Sequence, residues 1–341
     1  MIPHSRPRFD DACLAEVGRT IASGHTAMGE EAAHLEAEVS TLLQRSHAVA
    51  VDSGTSGLML ALRALAEMRP VTRVGIPAYG CASLLHAVRA AGATPVCMDC
   101  DASLRLDGEA AMAAAEALDA VILVHPFGMV EPLAAQSWPC PVIEDIAQAP
   151  GAQLAGRPVG AFGSLTVSSF YATKPWGGAY GGMVLANDPA MTERIMAMRD
   201  PDRAAPEISY AGHHQLSDLH ATLARCRMQQ ADDEAEQRRL RAMQMDGWFA
   251  DVDAEPVADL HASNHYRYIV RVDGSAAESV AALHAEGVGA ARPVSRPLHH
   301  ATGDTCPGAE QAWKTCLSLP LLADASEMEM QQIQQAVQKC L

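Results

Sequence analysis

Short apolar runs alternate with amphipathic stretches over the first two hundred residues. HAVAVD (47–52) has the length and character of a buried strand, and SGLMLALRALAEM (56–68) carries helical spacing. The alternation repeats with RVGI (73–76) and SLLHAVRAAG (83–92), then with TPVCMD (94–99) and the Ala-rich segment 108–117. AVILVH (120–125), PVIED (141–145), SLTVSSF (164–170) and GGMVLAN (181–187) follow. Strands without polar alternation, separated by helices, predict a mostly parallel sheet covered on both faces. In such an α/β domain the site is expected at the carboxyl ends of the strands.

The character changes after about residue 200. PDRAAPEIS (201–209) reads as a loop, and 216–245 as a long helix with Leu216, Leu219, Leu223 and Cys226 on one stripe. The charged second half, ADDEAEQRRLRAM, reads as a solvated face. DVDAEPVADLHASN (251–264) reads as a polar linker before an alternating strand, HYRYIVRV (265–272). A helix over 276–286, the run LSLPLL (317–322) and a helix from about 324 complete a smaller unit. The expected division is a large α/β domain, 1–245, and a small α+β domain, 246–341.

Composition narrows the class. Of 341 residues, 49% are hydrophobic and 19% charged, which suits a folded chain rather than a disordered one. No run approaches about 18 uninterrupted apolar residues, and the start lacks a signal-like apolar stretch, so a cytoplasmic location is expected. The 25 Lys and Arg against 41 Asp and Glu give a net charge of −16, which opposes binding to nucleic acid or anionic lipid. A small anion held by a few amides and cations in a cleft is not excluded. Among nine cysteines, Cys97 and Cys100 form a CxxC inside an apolar run, with no second pair at zinc-like spacing. Small buried hydrophobes in a reducing compartment are the reading, with no metal site expected.

Three motifs carry chemistry. SGTSG (53–57) lies between a strand and a helix, where free amides and the helix dipole favour an anion. An ordinary N-cap turn, with Ser53 or Thr55 as cap, would look the same. Glu144 and Asp145 end an apolar strand, and a buried carboxylate there needs a cation or several donors. Lys174, just beyond another strand in SSFYATKPWGGAYGG (168–182), lies where a lysine near a cleft can form a Schiff base. Its glycines allow a tight return. An anion cradle, a carboxylate and a lysine, each at a strand end of one sheet, are the three contacts pyridoxal phosphate demands.

At these residues the chain resembles the DegT–StrS family of pyridoxal-phosphate aminotransferases, best known for aminating keto-sugars attached to nucleotides. SGTSGLMLAL, IPAYGCASLLHAVRAAGATPVCMDCD, VILVHPFG and VIEDIAQAPGAQLAGRPVGAFGSLTVSSFYATKPWGGAYGGMVLAND follow in the family's order and spacing. The opening IPHSRPRFDD and the closing SRPLHHATG and CLSLPLLADASEMEMQQI are similar too. The resemblance implies fold type I, as in aspartate aminotransferase. It makes Lys174 the Schiff-base lysine and Asp145 the partner of the cofactor's ring nitrogen. It places Gln148 at the phenolic oxygen, and Gly54, Thr55, Ser56 and Ser169 at the phosphate. Three positions depart from the family pattern. Cys81 stands where an aromatic ring is common, His213 where an Asn reaches the partner subunit's phosphate, and Gln215 where an Arg is usual. His299 and His300 are candidates for the substrate cleft, or are simply loop histidines.

The implied activity is transfer of an amino group from glutamate or glutamine to a ketone, in a homodimer with shared active sites. Another ketone such as a cyclitol, or a lyase reaction, stays open. Sugar dehydratases of this fold usually carry His at the lysine position, so Lys174 points away from them. A non-catalytic, cofactor-binding regulator is the alternative from another class.

Overall fold

The computed structural model describes residues 1–257 and 263–341. In chain order it contains helices α1 (Asp11–Ser23) and α2 (Glu30–Leu42), strand β1 (His47–Val51), α3 (Gly54–Ala66), β2 (Arg73–Pro77), α4 (Ala82–Ala90) and β3 (Thr94–Met98). Then come α5 (Gly108–Ala115), β4 (Ala120–Val124), β5 (Val142–Asp145), a short hairpin of β6 (Gln153–Leu154) and β7 (Arg157–Pro158), β8 (Leu165–Ser169) and β9 (Gly182–Ala186). Helices α6 (Pro189–Arg199) and α7 (Asp218–Asp246) lead to β10 (Ala254–Pro256), β11 (Tyr268–Val272), α8 (Ala276–Ala285), α9 (His299–Thr302), α10 (Pro307–Thr315), β12 (Cys316–Leu319) and α11 (Glu327–Cys340).

Seven strands form one sheet in the order β1-β9-β8-β5-β4-β2-β3. Only β9 runs antiparallel to its neighbours, so the sheet is mostly parallel, as the apolar runs predict. Residue alternation divides each strand between two cores. Val49, Val51 and Val184 pack with Leu58 and Leu62 of α3 on one face. Ala50, Met183 and Leu185 pack with Leu35 and Val39 of α2 on the other. Every strand end therefore emerges from a sheet clamped on both sides, a rigid base for a site.

Helix α7 differs in detail from its prediction. Ser217 caps it, accepting from the His220 amide at 3.4 Å, so Leu216 lies before the helix. Its buried face is Ala221, Ala224 and Cys226, while Leu219 and Leu223 are only half-buried. Small residues let α7 approach α1 and α2 closely, which an apolar stripe of leucines would not. Nor is its second half wholly solvated. Arg227 and Arg238 are buried and both pair with Glu234, and Ala242 and Met245 enter a core.

That core belongs to the second sheet, β10-β11-β12, all antiparallel. Met245, Trp248, Phe249, Tyr268 and Leu319 pack there with Ile333 and Val337 of α11. The start of the chain joins it. Ile2 donates to the Gly287 carbonyl at 2.8 Å and is 5% exposed, so the first residues pack with the C-terminal unit rather than with the large sheet. The region read as a polar linker contains β10, paired with β11, because Ala254–Pro256 completes that sheet's edge. The middle of that linker, 258–262, lies outside the described residues. All nine cysteines are unbridged, and burial pushes the Cys97 thiol up to about 11 and that of Cys100 up to about 12. Among the described residues no helix is long and apolar enough to cross a membrane.

Candidate active site

The turn after β1 sets the first wall. Ser53 caps α3, accepting from the Ser56 amide at 3.1 Å, so the N-cap and anion-site readings describe one turn. Gly54 packs closely there, since a Cβ would stand 3.0 Å from the Ser169 Cβ. A Cβ on Gly182 would fall 2.5 Å from the Ser53 carbonyl oxygen. The helix start is thus pressed against the end of β8, which sets Ser169 beside it. Thr55 is exposed and its hydroxyl has no hydrogen bond among the described residues.

The next wall comes from β5, whose last two residues are acids on opposite sides of the strand. Asp145 faces the cavity. Its Oδ1 accepts from the Ala147 amide at 2.9 Å, and it makes no ion pair among the described residues. Burial pushes its carboxyl above the ordinary range, only partly countered by that amide, Lys174 and His125. Glu144 points the other way, fully buried, and accepts from the amides of Gly160, Phe162 and Gly163 at 2.5, 3.0 and 2.9 Å. His125 Nε2 is 3.0 Å from it, and Arg45 ties the same loop through the Gly160 and Gly163 carbonyls. Burial alone would raise Glu144, but His125 and the amides hold it below the ordinary range.

Gln148 follows on the loop after β5. Its Oε1 accepts from the Phe127 amide at 3.0 Å, which leaves its amide nitrogen free to donate. Phe127 takes φ +58 to make this contact, and its carbonyl accepts from the Arg267 amide. Asn264 completes the joint, donating to the Gln148 and Pro150 carbonyls at 3.1 and 3.0 Å.

Lys174 sits on a coil closed by hydrogen bonds from its own amide to Tyr171 and from Gly177 to its carbonyl, both 2.8 Å. A Cβ on Gly177 would stand 2.2 Å from the Tyr171 oxygen, and one on Gly178 would meet the Ala224 amide at 2.6 Å. Glycine is required at both positions. Lys174 Nζ lies 5.3 Å from the centre of the Tyr266 ring. Burial would raise the Tyr266 phenol, but Lys174 and Arg267 hold it below its ordinary value.

These residues meet. Gly54, Thr55, Cys81, Asp145, Gln148, Ser169 and Lys174 line one cavity of about 300 Å³, with Ser53, Tyr171 and Tyr180 at its edge. Ser56 lies in the first turn of α3 behind it, its hydroxyl 3.0 Å from Ser53. Cys81, Gln148 and Lys174 also line a second cavity of about 390 Å³, walled by Tyr79, Phe127, Tyr266, Arg267 and Arg292. The site can therefore hold one group against the sheet and admit another beside it.

Other candidates lie elsewhere. His213 is exposed and outside both cavity walls; its neighbour His214 lies 3.4 Å from Asp52, and Gln215 donates to Asp200 at 2.8 Å. His299 and His300 lie 3.5 and 2.7 Å from Glu310 and are not among the residues lining either cavity. Conversely, Asn264, Tyr266, Arg267 and Arg292 carry no local motif. HYRYIVRV reads only as a strand, and Asn264 and Arg267 join the site through contacts across more than a hundred residues, with Gln148 and Phe127.

The residues present fit pyridoxal phosphate. Asp145 is a desolvated carboxyl group with no ion pair among the described residues, Gln148 offers a donor, and the α3 start with Thr55 and Ser169 offers donors to a phosphate. The sheet with its single antiparallel strand, and a cavity at the carboxyl ends of its strands, define a fold-type I pyridoxal-phosphate architecture. Over residues 7–338 the chain matches the DegT/DnrJ/EryC1/StrS aminotransferase family, and it belongs to that family as an aminotransferase. It is 30% identical to a UDP-N-acetyl-3-dehydro-α-D-glucosamine 3-aminotransferase of Acidithiobacillus ferrooxidans, over 97% of this chain and 94% of that one. The aminotransferase TlmJ of Streptoalloteichus hindustanus superposes with a TM-score of 0.88 at 26% identity, over 99% and 98% of the two chains. DesV of S. venezuelae, solved in complex with a ketimine intermediate, gives 0.87 at 26% identity over 96% and 94%.

Proposed function

We propose that this aminotransferase uses pyridoxal phosphate to move an amino group from an amino acid, glutamate or glutamine, to a keto-sugar carried on a nucleotide. The observation that carries this reading is the convergence of Lys174, Asp145, Gln148, Ser169 and the α3 start on one cavity. The likeness to an enzyme named for a UDP-linked keto-sugar supports the acceptor class. The cofactor, when bound, supplies the aldehyde that captures the amine and the ring that accepts electrons from the substrate's Cα.

The chain's residues then have separate tasks. Asp145 keeps a positive partner beside it, since burial makes its lone charge costly. Gln148 donates an N–H from a position locked by Phe127. The amides at the start of α3, with Thr55 and Ser169, hold an anion. Lys174 Nζ, once free, removes the donor's Cα proton, and in the second half-reaction supplies one to the acceptor carbon. Tyr266 flanks it, with its ring centre 5.3 Å from Nζ. Lys174 also separates this reading from a dehydratase of the same fold.

A homodimer in the cytoplasm is the proposed setting. Tyr171 and Tyr180 are 47% and 59% exposed at the cavity edge, where a second copy would cover them, and His213 is free to reach a neighbouring subunit. The test is a pair of half-reactions on enzyme loaded with pyridoxal phosphate. Glutamate or glutamine is expected to convert the cofactor spectrum to that of the amine form, and a nucleotide-linked keto-sugar to restore it. An enzyme that binds the cofactor but answers no amino acid would overturn the proposal.

A further inference from the structure

The larger cavity beside Lys174 is basic in an acidic chain. Its charged lining is His4, Arg105, Lys174, Arg267 and Arg292 against one acid, Glu131, although the chain as a whole carries −16. Burial and the nearby Arg267 push His4 down to about 3, so the positive charge rests on the arginines and the lysine. Glu131 is engaged, accepting from the Leu106 and Leu133 amides at 3.0 and 3.1 Å. Arg105 is held on the Val130 carbonyl at 2.7 Å. Arg267 donates to Ser5 and to the Tyr266 hydroxyl at 2.8 and 2.9 Å.

Arg292 is different. Its guanidinium carbon lies 4.4 Å from the centre of the Trp313 ring, and among the described residues it has neither hydrogen bond nor ion pair. The mount is firm. Trp313 Nε1 donates to the Ser295 carbonyl at 3.1 Å, Ala291 bridges Ser318, and the Leu298 amide donates to Ala78 at 2.8 Å. A guanidinium laid on a ring keeps its N–H edges for a planar, two-oxygen partner. The sequence pays for ordering this side chain without giving it an anion.

We propose that Arg292 anchors the α-carboxylate of the amino donor. This rests on the aminotransferase reading above. The carboxylate and the reacting amine sit on the same carbon, so an amine within reach of Lys174 keeps the carboxylate close by. Lys174 borders more than one cavity, and among the arginines that line them Arg292 is the one without a hydrogen bond or ion pair among the described residues. A nucleotide-linked acceptor carries its phosphates across a sugar ring from the reacting carbonyl, which frees them to lie further out. Arg292 thus selects donors by the charge on the reacting carbon.

The experiment compares wild type, Arg292→Gln and Arg292→Lys as loaded enzymes in separate half-reactions. Donors are glutamate and its α-carboxamide, which keeps the side-chain carboxylate and loses the one at issue. Arg292→Gln is expected to lower kcat/KM for glutamate by roughly 100-fold, mostly through KM, with Arg292→Lys between it and wild type. The preference for glutamate over the α-carboxamide should collapse towards one. The acceptor half-reaction and the bound-cofactor spectrum should change by less than about 3-fold. A glutamate half-reaction within about 3-fold of wild type, an equal loss in both halves, or a loss confined to the acceptor would overturn the assignment. Wild-type enzyme inert to every amino acid would overturn the underlying reading, and this assignment with it.

Discussion

Glu144 and Asp145 are neighbours on one strand, yet the two sides of that strand are built for opposite ends. On the core side Glu144 collects three amides and His125, and Arg45 braces the same loop. On the cavity side Asp145 has one amide and no ion pair among the described residues. Their titrations move oppositely, Glu144 below the ordinary carboxylate range and Asp145 above it. One acid is satisfied by the fold. The other is left with a debt that a ligand can settle, which is how a site differs from a core.

The contrast can be broken first at Lys174. Lys174→Ala should lower turnover by about 10⁴-fold or more, while the thermal midpoint of the cofactor-free protein stays within a few degrees, because a half-buried lysine with no ion pair among the described residues contributes little to folding. Steady-state rates and a melting curve check both halves. The core side should behave in reverse. Glu144→Gln should cost about 3–5 kcal/mol of stability, since it disturbs a buried ionic network. Glu144 is depressed in the folded state, so its stabilisation is present above the unfolded carboxylate pKa and is lost as pH falls through the folded value. Denaturation of wild type and variant across that acidic range should show the gap closing.

Asp145 sharpens the comparison with the opposite sign. Its folded pKa is raised, so its charge burdens the cofactor-free fold at neutral pH, and the burden disappears below the unfolded carboxylate range. Asp145→Asn should therefore stabilise the cofactor-free protein by about 1 kcal/mol at neutral pH. It should also weaken cofactor binding by roughly 100-fold through loss of the charged partner. A destabilised variant would show that Asp145 serves the fold as Glu144 does. The smallest effect is expected at Cys81, which is exposed at the start of α4. Cys81→Tyr should tighten cofactor binding by a few-fold through added ring contact, measured by equilibrium titration.

How much of this was legible in the sequence follows from where each wall comes from. The strand-end wall is written in short segments: Ser53–Ser56, Asp145–Gln148 and Ser169–Lys174 each carry their own turn chemistry, and apolar runs place them on one sheet edge. The facing wall is not written locally. Tyr266, Arg267 and Arg292 reach the site through the Phe127–Arg267 and Asn264–Gln148 bonds and the Trp313 mount, contacts that no periodicity announces. The same limit explains α7, where a run of leucines suggested the packed face but alanines make it. It explains His299 and His300 too, whose partner Glu310 lies on α10, a helix that the pattern did not reveal. Ile2 joining the second core is a further case of packing that sequence order hides.

The central claim is that Lys174 is the residue that holds the cofactor. Wild type and Lys174→Ala, each incubated with pyridoxal phosphate, would be reduced with borohydride, digested and mapped by mass spectrometry. The account predicts one pyridoxyl-modified peptide in the wild type, carrying its label on Lys174, and none in the variant. A label on another lysine, or no stoichiometric label in the wild type, would contradict it.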